Sequence, residues 1–345
     1  MNTFGTAFRI SIFGESHGTN VGVTIDGCPA GIPLTFNDFT DDFNRRRSGG
    51  KGTTPRKETD LPRIISGVFN DFTTGAPLTI LFDNNNTRSR DYTQLRETPR
   101  PGHADFVAMI KFGGFEDYRG GGHFSGRLTL GLVAAGVIAK KLIEPVKVEA
   151  KILEVGGMTD IEKAIDLAVE KKDSIGGIVQ CVASNMPVAL GEPFFDSIEA
   201  VLSHMIFSIP AIKGVEFGSG FSAARMWGSE HNDKLVSSEG KTATNNAGGI
   251  NGGISNGNDL VLRVAVKPTS STHQVQRTIN IKTGEMIDLE IEGRHDTCIA
   301  LRVPVVVEAA TAIVLADFML QEQRIGRRVN QPLETHRSHS SHRSH

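Results

Sequence analysis

The chain has 345 residues, 39% hydrophobic and 22% charged, which is enough apolar material for a sizeable core and the balance of a folded globular protein. Its 37 basic and 39 acidic residues leave a formal net charge of −2, so nothing global draws it to nucleic acid or to an anionic membrane surface. Three scattered cysteines, Cys28, Cys181 and Cys298, exclude a cysteine zinc site and fit a reducing compartment. The first residues form no signal peptide and no apolar run reaches about 18 residues, so a cytoplasmic protein is expected.

Residues 8–13 and 21–25 read as strands on either side of the polar loop Gly14-Glu15-Ser16-His17-Gly18. Thr35 caps a helix that runs to about Arg46, with Asp38 in its first turn and Arg45, Arg46 and Arg47 at the negative end of its dipole. A loop over 48–54 follows, then short strands at 64–69 and 78–82 and a polar segment over 83–101. Helices are expected at 104–111 and 127–142, the second rich in small residues that permit close packing. Residues 146–155, 161–171 and 177–183 read as strand, helix, strand; 197–207 is an amphipathic helix, 260–266 alternates as a strand, and 305–318 is the last strong helix. The pattern predicts an α+β layered domain over 1–329. It carries neither a dinucleotide fingerprint nor a P-loop. The tail over 330–345 is polar, of low complexity, and expected to be disordered.

Two histidines sit in constrained, glycine-flanked loops: His17, and His103 within Arg100-Pro101-Gly102-His103-Ala104-Asp105. An imidazole so held suits acid–base work near neutral pH. Arg45, Arg46, Arg47 and Lys51, with Arg56 and Lys57 beyond, and the hydroxyl-rich run Lys267-Pro268-Thr269-Ser270-Ser271-Thr272 both suit phosphate or carboxylate. The histidines and aspartates of His103-Ala104-Asp105 and Gly293-Arg294-His295-Asp296 match no zinc-protease spacing, and no metal site is assigned. The residues alone define an anion-binding protein with histidine chemistry. They leave open a metal hydrolase and a non-catalytic anion binder.

The ordered blocks GESHG (14–18), RRRSGG (45–50), RPGHAD (100–105), DYRGGG (117–122), AGGINGGIS (247–255), KPTSS (267–271) and GRHD (293–296) resemble the chorismate synthase family. The resemblance implies a single large β-α-β sandwich, with helices enclosed between antiparallel sheets and internal pseudo-symmetry, assembled as a homotetramer. It implies elimination of phosphate from 5-enolpyruvylshikimate 3-phosphate to give chorismate, with reduced FMN required and no net redox change. Carried over residue by residue, His17, His103 and Asp296 would be catalytic. Ser125, Arg127, Ala211, Gly252, Lys267, Pro268, Thr269, Ser270, Ser271 and Arg294 would bind FMN; Arg45, Arg46, Arg47 and Lys51 would bind substrate. No reductase domain is recognisable, so an external flavin reductant is expected rather than NADPH acting on this chain. His123, Gly126, Leu128, Lys51 and Thr297 depart from the family's pattern, and a basic contact after the DYRGGG block is expected to be either lost or supplied by His123.

Overall fold

The computed structural model describes residues 1–54, 58–85, 94–291, 295–326 and 328. From the N-terminus come β1 (Thr3–Phe4), β2 (Arg9–Gly14) and β3 (Asn20–Asp26), then α1 (Thr40–Arg46) and β4 (Arg63–Ser66). A small hairpin of β5 (Val68–Phe69) and β6 (Phe72–Thr73) precedes β7 (Leu78–Asp83). The middle of the chain gives α2 (Asp105–Phe112), α3 (Thr129–Leu142), β8 (Lys147–Val155), α4 (Ile161–Glu170), β9 (Gly177–Ser184), α5 (Ile198–Phe207) and β10 (Ile212–Phe217). After the short α6 (Gly228–His231) and the hairpin β11 (Ile250–Asn251) and β12 (Ile254–Ser255) come β13 (Leu260–Val266), the hairpin β14 (Gln276–Ile279) and β15 (Met286–Leu289), and α7 (Val303–Gln321).

Two antiparallel sheets result, ordered β1-β2-β3-β7-β4 and β10-β13-β9-β8. β13 and β7 alternate strictly between buried and half-buried positions, as strands with one covered face must. That cover is helical. In α3 every residue from Thr129 to Ala139 is buried, and in α7 every residue from Val305 to Met319. A helix apolar on all sides belongs inside a protein. α3 lies against β3, α7 lies against β8 and β9, and the two helices pack on each other. Their close approach is set by Gly136, where an added Cβ would stand 2.3 Å from the Ala309 Cβ.

By length and composition α7 could cross a bilayer, yet most of it is buried inside the fold and its two acids are engaged there. Glu308 accepts both Arg45 forks, Lys140 at 3.0 Å and the Ala150 amide at 2.8 Å. Asp317 accepts the amides of Thr6, Ala7 and Phe8 at 2.6–3.1 Å, tying the N-terminal segment to the last helix.

Most expected elements occur within two residues of their anticipated ends. The helix expected from 127 starts at Thr129, because Ser125 caps a tight turn over Gly126–Leu128. The strand expected over 64–69 divides at Gly67 (φ 89°), where any Cβ would sit 2.5 Å from the Leu78 Cα. β10 was not expected, since Lys213, Gly214 and Glu216 break its apolar pattern. The tail over 330–345 lies outside the described residues.

Candidate active site

A cavity of about 990 Å³ opens beside α3, between the start of the first sheet and the end of β13. Its floor is apolar, with Phe4, Ile10, Ile12, Leu128, Leu132 and Met205. Its rim is basic: Arg100, Lys213 and Lys267 line it together with His103, His123, His204 and His295, and no carboxylate does among the described residues. Two loops form one side. Lys267 Nζ donates to the Gly102 carbonyl at 2.6 Å and to Ser270 Oγ at 2.8 Å, and Arg100 Nη1 donates to Ser271 Oγ at 3.1 Å. Burial and then Lys213 lower the Lys267 ammonium from its ordinary value. Thr269 Oγ1 is buried here without a hydrogen-bond partner, an orphan that native proteins rarely keep unless a ligand completes it.

His103 stands where this loop pair meets α2. Its Nδ1 is 2.6 Å from Asp105 Oδ1, and Arg100 grips the same carboxylate through Nε and Nη2, each at 2.7 Å. Burial works to raise the Asp105 carboxyl, but Arg100 and His103 outweigh it and hold it well below the usual range. Arg100 Nη2 also lies 3.1 Å from the same Nδ1, and the opposite side of the ring, with Nε2, is turned toward Gly121.

His17 lies one layer deeper, 8% exposed, behind the cavity residue Gly120. The fit is close: a Cβ on Gly120 would be 2.5 Å from His17 Cδ2 and 2.6 Å from Nε2. The two loops are joined by Ser16 N donating to the Gly122 carbonyl at 3.0 Å. Asp117, which faces His17, is forked by Arg119 and held below the usual carboxylate range. His123 bonds the Gly14 carbonyl through Nδ1 at 2.8 Å and Asn2 Oδ1 through Nε2 at 3.1 Å, so its ring closes the cavity over the N-terminus.

Beneath lies a cluster of buried charge. Arg46 donates to Thr129 Oγ1 at 3.1 Å and to the Gly126 carbonyl at 3.0 Å, and sits 3.5 Å from Asp60. Arg127 binds the other Asp60 oxygen, Asn84 Oδ1 at 3.0 Å and the Asp83 carbonyl at 3.2 Å. Burial pulls the Arg46 guanidinium below the usual arginine range against the attraction of Asp60. Burial would raise Asp60, yet the two guanidiniums hold it down. Asp296 accepts from Thr54 N at 2.9 Å and Arg302 Nη2 at 2.5 Å.

The structure thus brings His103, Ser125, Ala211, Lys267, Pro268, Thr269, Ser270 and Ser271 to one cavity wall. Ala211 holds φ 74° there, a strained value for a residue with a Cβ, while its carbonyl accepts Lys267 N at 2.9 Å. His17 and Asp296 stand just behind the wall. The three consecutive arginines do not act together, because successive helical positions point about 100° apart. Only Arg46 reaches the cavity's margin. Arg45 is spent on Glu308, Arg47 on Asn44 and the Thr59 carbonyl, and Lys51 on Asp166 of α4. Gly252 is exposed at the turn of the β11–β12 hairpin, outside the cavity of its own chain. Arg294, like Gly293, Arg56 and Lys57, lies outside the described residues. Sequence reasoning gave no role to Lys213, Asp60 or Arg302. Arg100 and Asp105 were visible in their motif, but their grip on His103 was not. Among the described residues no three His, Cys, Asp or Glu side chains gather to hold a metal.

A layered α+β fold around a cavity edged by imidazoles, lysines and arginine, with no carboxylate among its described lining residues, is suited to a polyanionic small molecule. The chorismate synthase family model matches residues 8–320. A chorismate synthase of Chitinophaga pinensis is 67% identical over 328 residues, covering 95% of this chain and 99% of its own. One from Methanocaldococcus jannaschii is 43% identical over 366 residues, covering 93% and 97%. A chorismate synthase crystal structure superposes with a TM-score of 0.71 at 28% identity, covering 92% of this chain and 93% of that one. The chain belongs to the chorismate synthase family, carbon–oxygen lyases of the last step of the shikimate pathway toward aromatic amino acids.

Proposed function

We propose that the cavity binds reduced FMN together with 5-enolpyruvylshikimate 3-phosphate, and that phosphate is eliminated where the two meet. One observation carries this reading: a space of about 990 Å³, large enough for two ligands, is edged by three cations and four imidazoles with no carboxylate among its described lining residues. Cofactor and substrate together bring two phosphates and two carboxylates, which such a wall is arranged to meet. The residues present fit the flavin's phosphate at Thr269, whose orphaned Oγ1 gains a partner, beside Lys267 and Lys213; Phe4, Ile10, Ile12 and Leu132 offer apolar cover for its rings.

Reduced FMN, when bound, supplies electron density to the allylic C–O bond with no net redox change. The C–O bond to phosphate breaks and its electron pair leaves with the phosphate. A ring C–H bond breaks in turn: its proton is relayed through Asp296, its pair forms a new C=C, and the ring's existing double bond shifts to the carbon that the phosphate has left. His17, braced by Gly120, balances the charge of the departing phosphate. His103, tethered through Nδ1 to Asp105, sets the protonation of the cofactor edge. Arg46 meets a substrate anion from the cavity's margin, and Arg127 holds Asp60 in place behind it.

Flavin arrives already reduced from an external reductant rather than through NADPH on this chain. The protein works in the cytoplasm as a homotetramer, a reading supported by the large apolar side chains left exposed around α2, among them Phe106, Ile110 and Phe115. Gly252 then touches the flavin of a neighbouring copy. The matched residues belong to one domain running over 1–329.

The test is an anaerobic assay with dithionite-reduced FMN, following chorismate and phosphate together. Equal amounts of both, formed only with reduced flavin, are expected. Phosphate released without flavin, or no product from folded protein, would refute the reading.

A further inference from the structure

We infer that Arg302 is a positioning residue for Asp296: it fixes the direction from which that carboxylate reaches the substrate's ring proton. The inference rests on the base role proposed above for Asp296.

Arg302 stands in the turn that leads into α7, where the positive end of the helix dipole opposes a cation. Arg46 adds a second repulsion, since each guanidinium lies within the other's field. Its Nε is buried with no hydrogen-bond partner among the described residues, a further cost to folding. What offsets these costs is the carboxylate it faces. Among the described residues its one ion pair is with Asp296, through Nη2 and Oδ2 at 2.5 Å.

The geometry around Asp296 explains what the pair does. Oδ1 is fixed by Thr54 N at 2.9 Å and Oδ2 by Arg302, so neither oxygen can rotate without losing a bond. Thr54 belongs to the loop that docks on the same turn through Cys298 N donating to the Gly52 carbonyl at 3.0 Å. The carboxylate is thus clamped between that loop and the start of α7, with His295 next to it on the cavity wall. Behind the clamp is a small annex of about 30 Å³ lined by Arg46 and Arg302, which shares Gly126, Thr129, Ile209, Pro210 and Ile299 with the main cavity. Among the described residues the paired charges of the cluster do not cancel: Arg46, Arg127 and Arg302 face Asp60 and Asp296.

The test compares wild type, Arg302→Lys, Arg302→Gln, Asp296→Asn and the double variant Arg302→Gln/Asp296→Asn. Turnover is measured with ordinary substrate and with substrate deuterated at the ring carbon that loses its proton, and FMN affinity alongside. Misaiming a reacting group by about 1 Å costs roughly 10²-fold. Arg302→Gln should therefore lose about 10–10²-fold in kcat, with KM and FMN affinity little changed and a larger deuterium isotope effect, as proton removal becomes slower relative to other steps. Arg302→Lys, with one donor in place of the fork, should recover part of the loss. The double variant should be no slower than Asp296→Asn. An unchanged isotope effect with kcat within about threefold of wild type, or fully additive losses in the double variant, would overturn the inference. If Arg302→Gln does not fold, the isotope effect in Arg302→Lys decides in the same way. Wild type that makes no chorismate would instead sink the base role and the reading of the cavity with it.

Discussion

Replacing Gly120 and Gly121 one at a time by alanine separates the fit of His17 from backbone strain. Both glycines hold left-handed φ, 59° and 79°, so each substitution carries a similar penalty of about 1–2 kcal/mol. They differ in what the new methyl meets. At Gly120 it would lie 2.5 Å from His17 Cδ2 and 3.0 Å from Ser16 Oγ; at Gly121 its nearest neighbour is His103 at 3.4 Å, an ordinary contact. Carbon atoms settle at about 3.5 Å or more, so the His17 ring must withdraw by about 1 Å in the first variant only. A shift of that size at a reacting group costs on the order of 10²-fold. Gly120→Ala should lose about 10²-fold in kcat under the anaerobic assay, and Gly121→Ala less than about tenfold, with similar falls in melting temperature. Equal losses of kcat in the two variants would refute the placement of His17.

Four further outcomes are expected. Asp60→Asn leaves Arg46 and Arg127 buried without their carboxylate and should cost about 3–5 kcal/mol in urea unfolding. Asp60, Asp105 and Glu308 all titrate below their unfolded values of about 3.9 and 4.3, so the stability they lend is present above those values and lost as pH falls through the folded ones. Wild type should therefore weaken steadily below about pH 4, and Asp60→Asn less steeply, in unfolding measured against pH. Gly136→Ala drives a methyl to 2.3 Å from Ala309 Cβ; overpacking of about 1–3 kcal/mol outweighs the roughly 1 kcal/mol gained in helix propensity, and calorimetry should show a lower Tm. Thr269→Val should weaken FMN binding about tenfold by flavin titration, as expected for losing a hydrogen bond to a charged group, while the ligand-free protein keeps its stability because an orphaned hydroxyl has gone.

The layered α+β organisation was legible because its elements keep simple periods. β13 alternates residue by residue, and α3 and α7 are apolar on every side and long enough to be core helices. β10 escaped because a short strand holding Lys213, Gly214 and Glu216 has no clean period, and the cavity needs that lysine. At the site, motif spacing gathers what one loop carries, such as His103 with Arg100 and Asp105. It cannot show that Arg45 bends away to Glu308, 263 residues further along, or that Asp60 is caught between two arginines. Those are long-range pairings with no local signature. The run Arg45-Arg46-Arg47 reads as one basic patch in one dimension and divides three ways on a helix end.

The tie between Asp317 and the amides of Thr6, Ala7 and Phe8 bears on how this protein is made. Its first strands are anchored by its last helix, and that helix is also what α3 leans on. A chain leaving the ribosome in order therefore presents β3 and β7, with Val23, Ile80 and Phe82, before α3 covers them, and α3 itself long before its partner α7 is synthesised. Chaperones that hold apolar strands should matter more to its yield than the stability of the finished fold, and shortening α7 from its far end should release the beginning of the chain first.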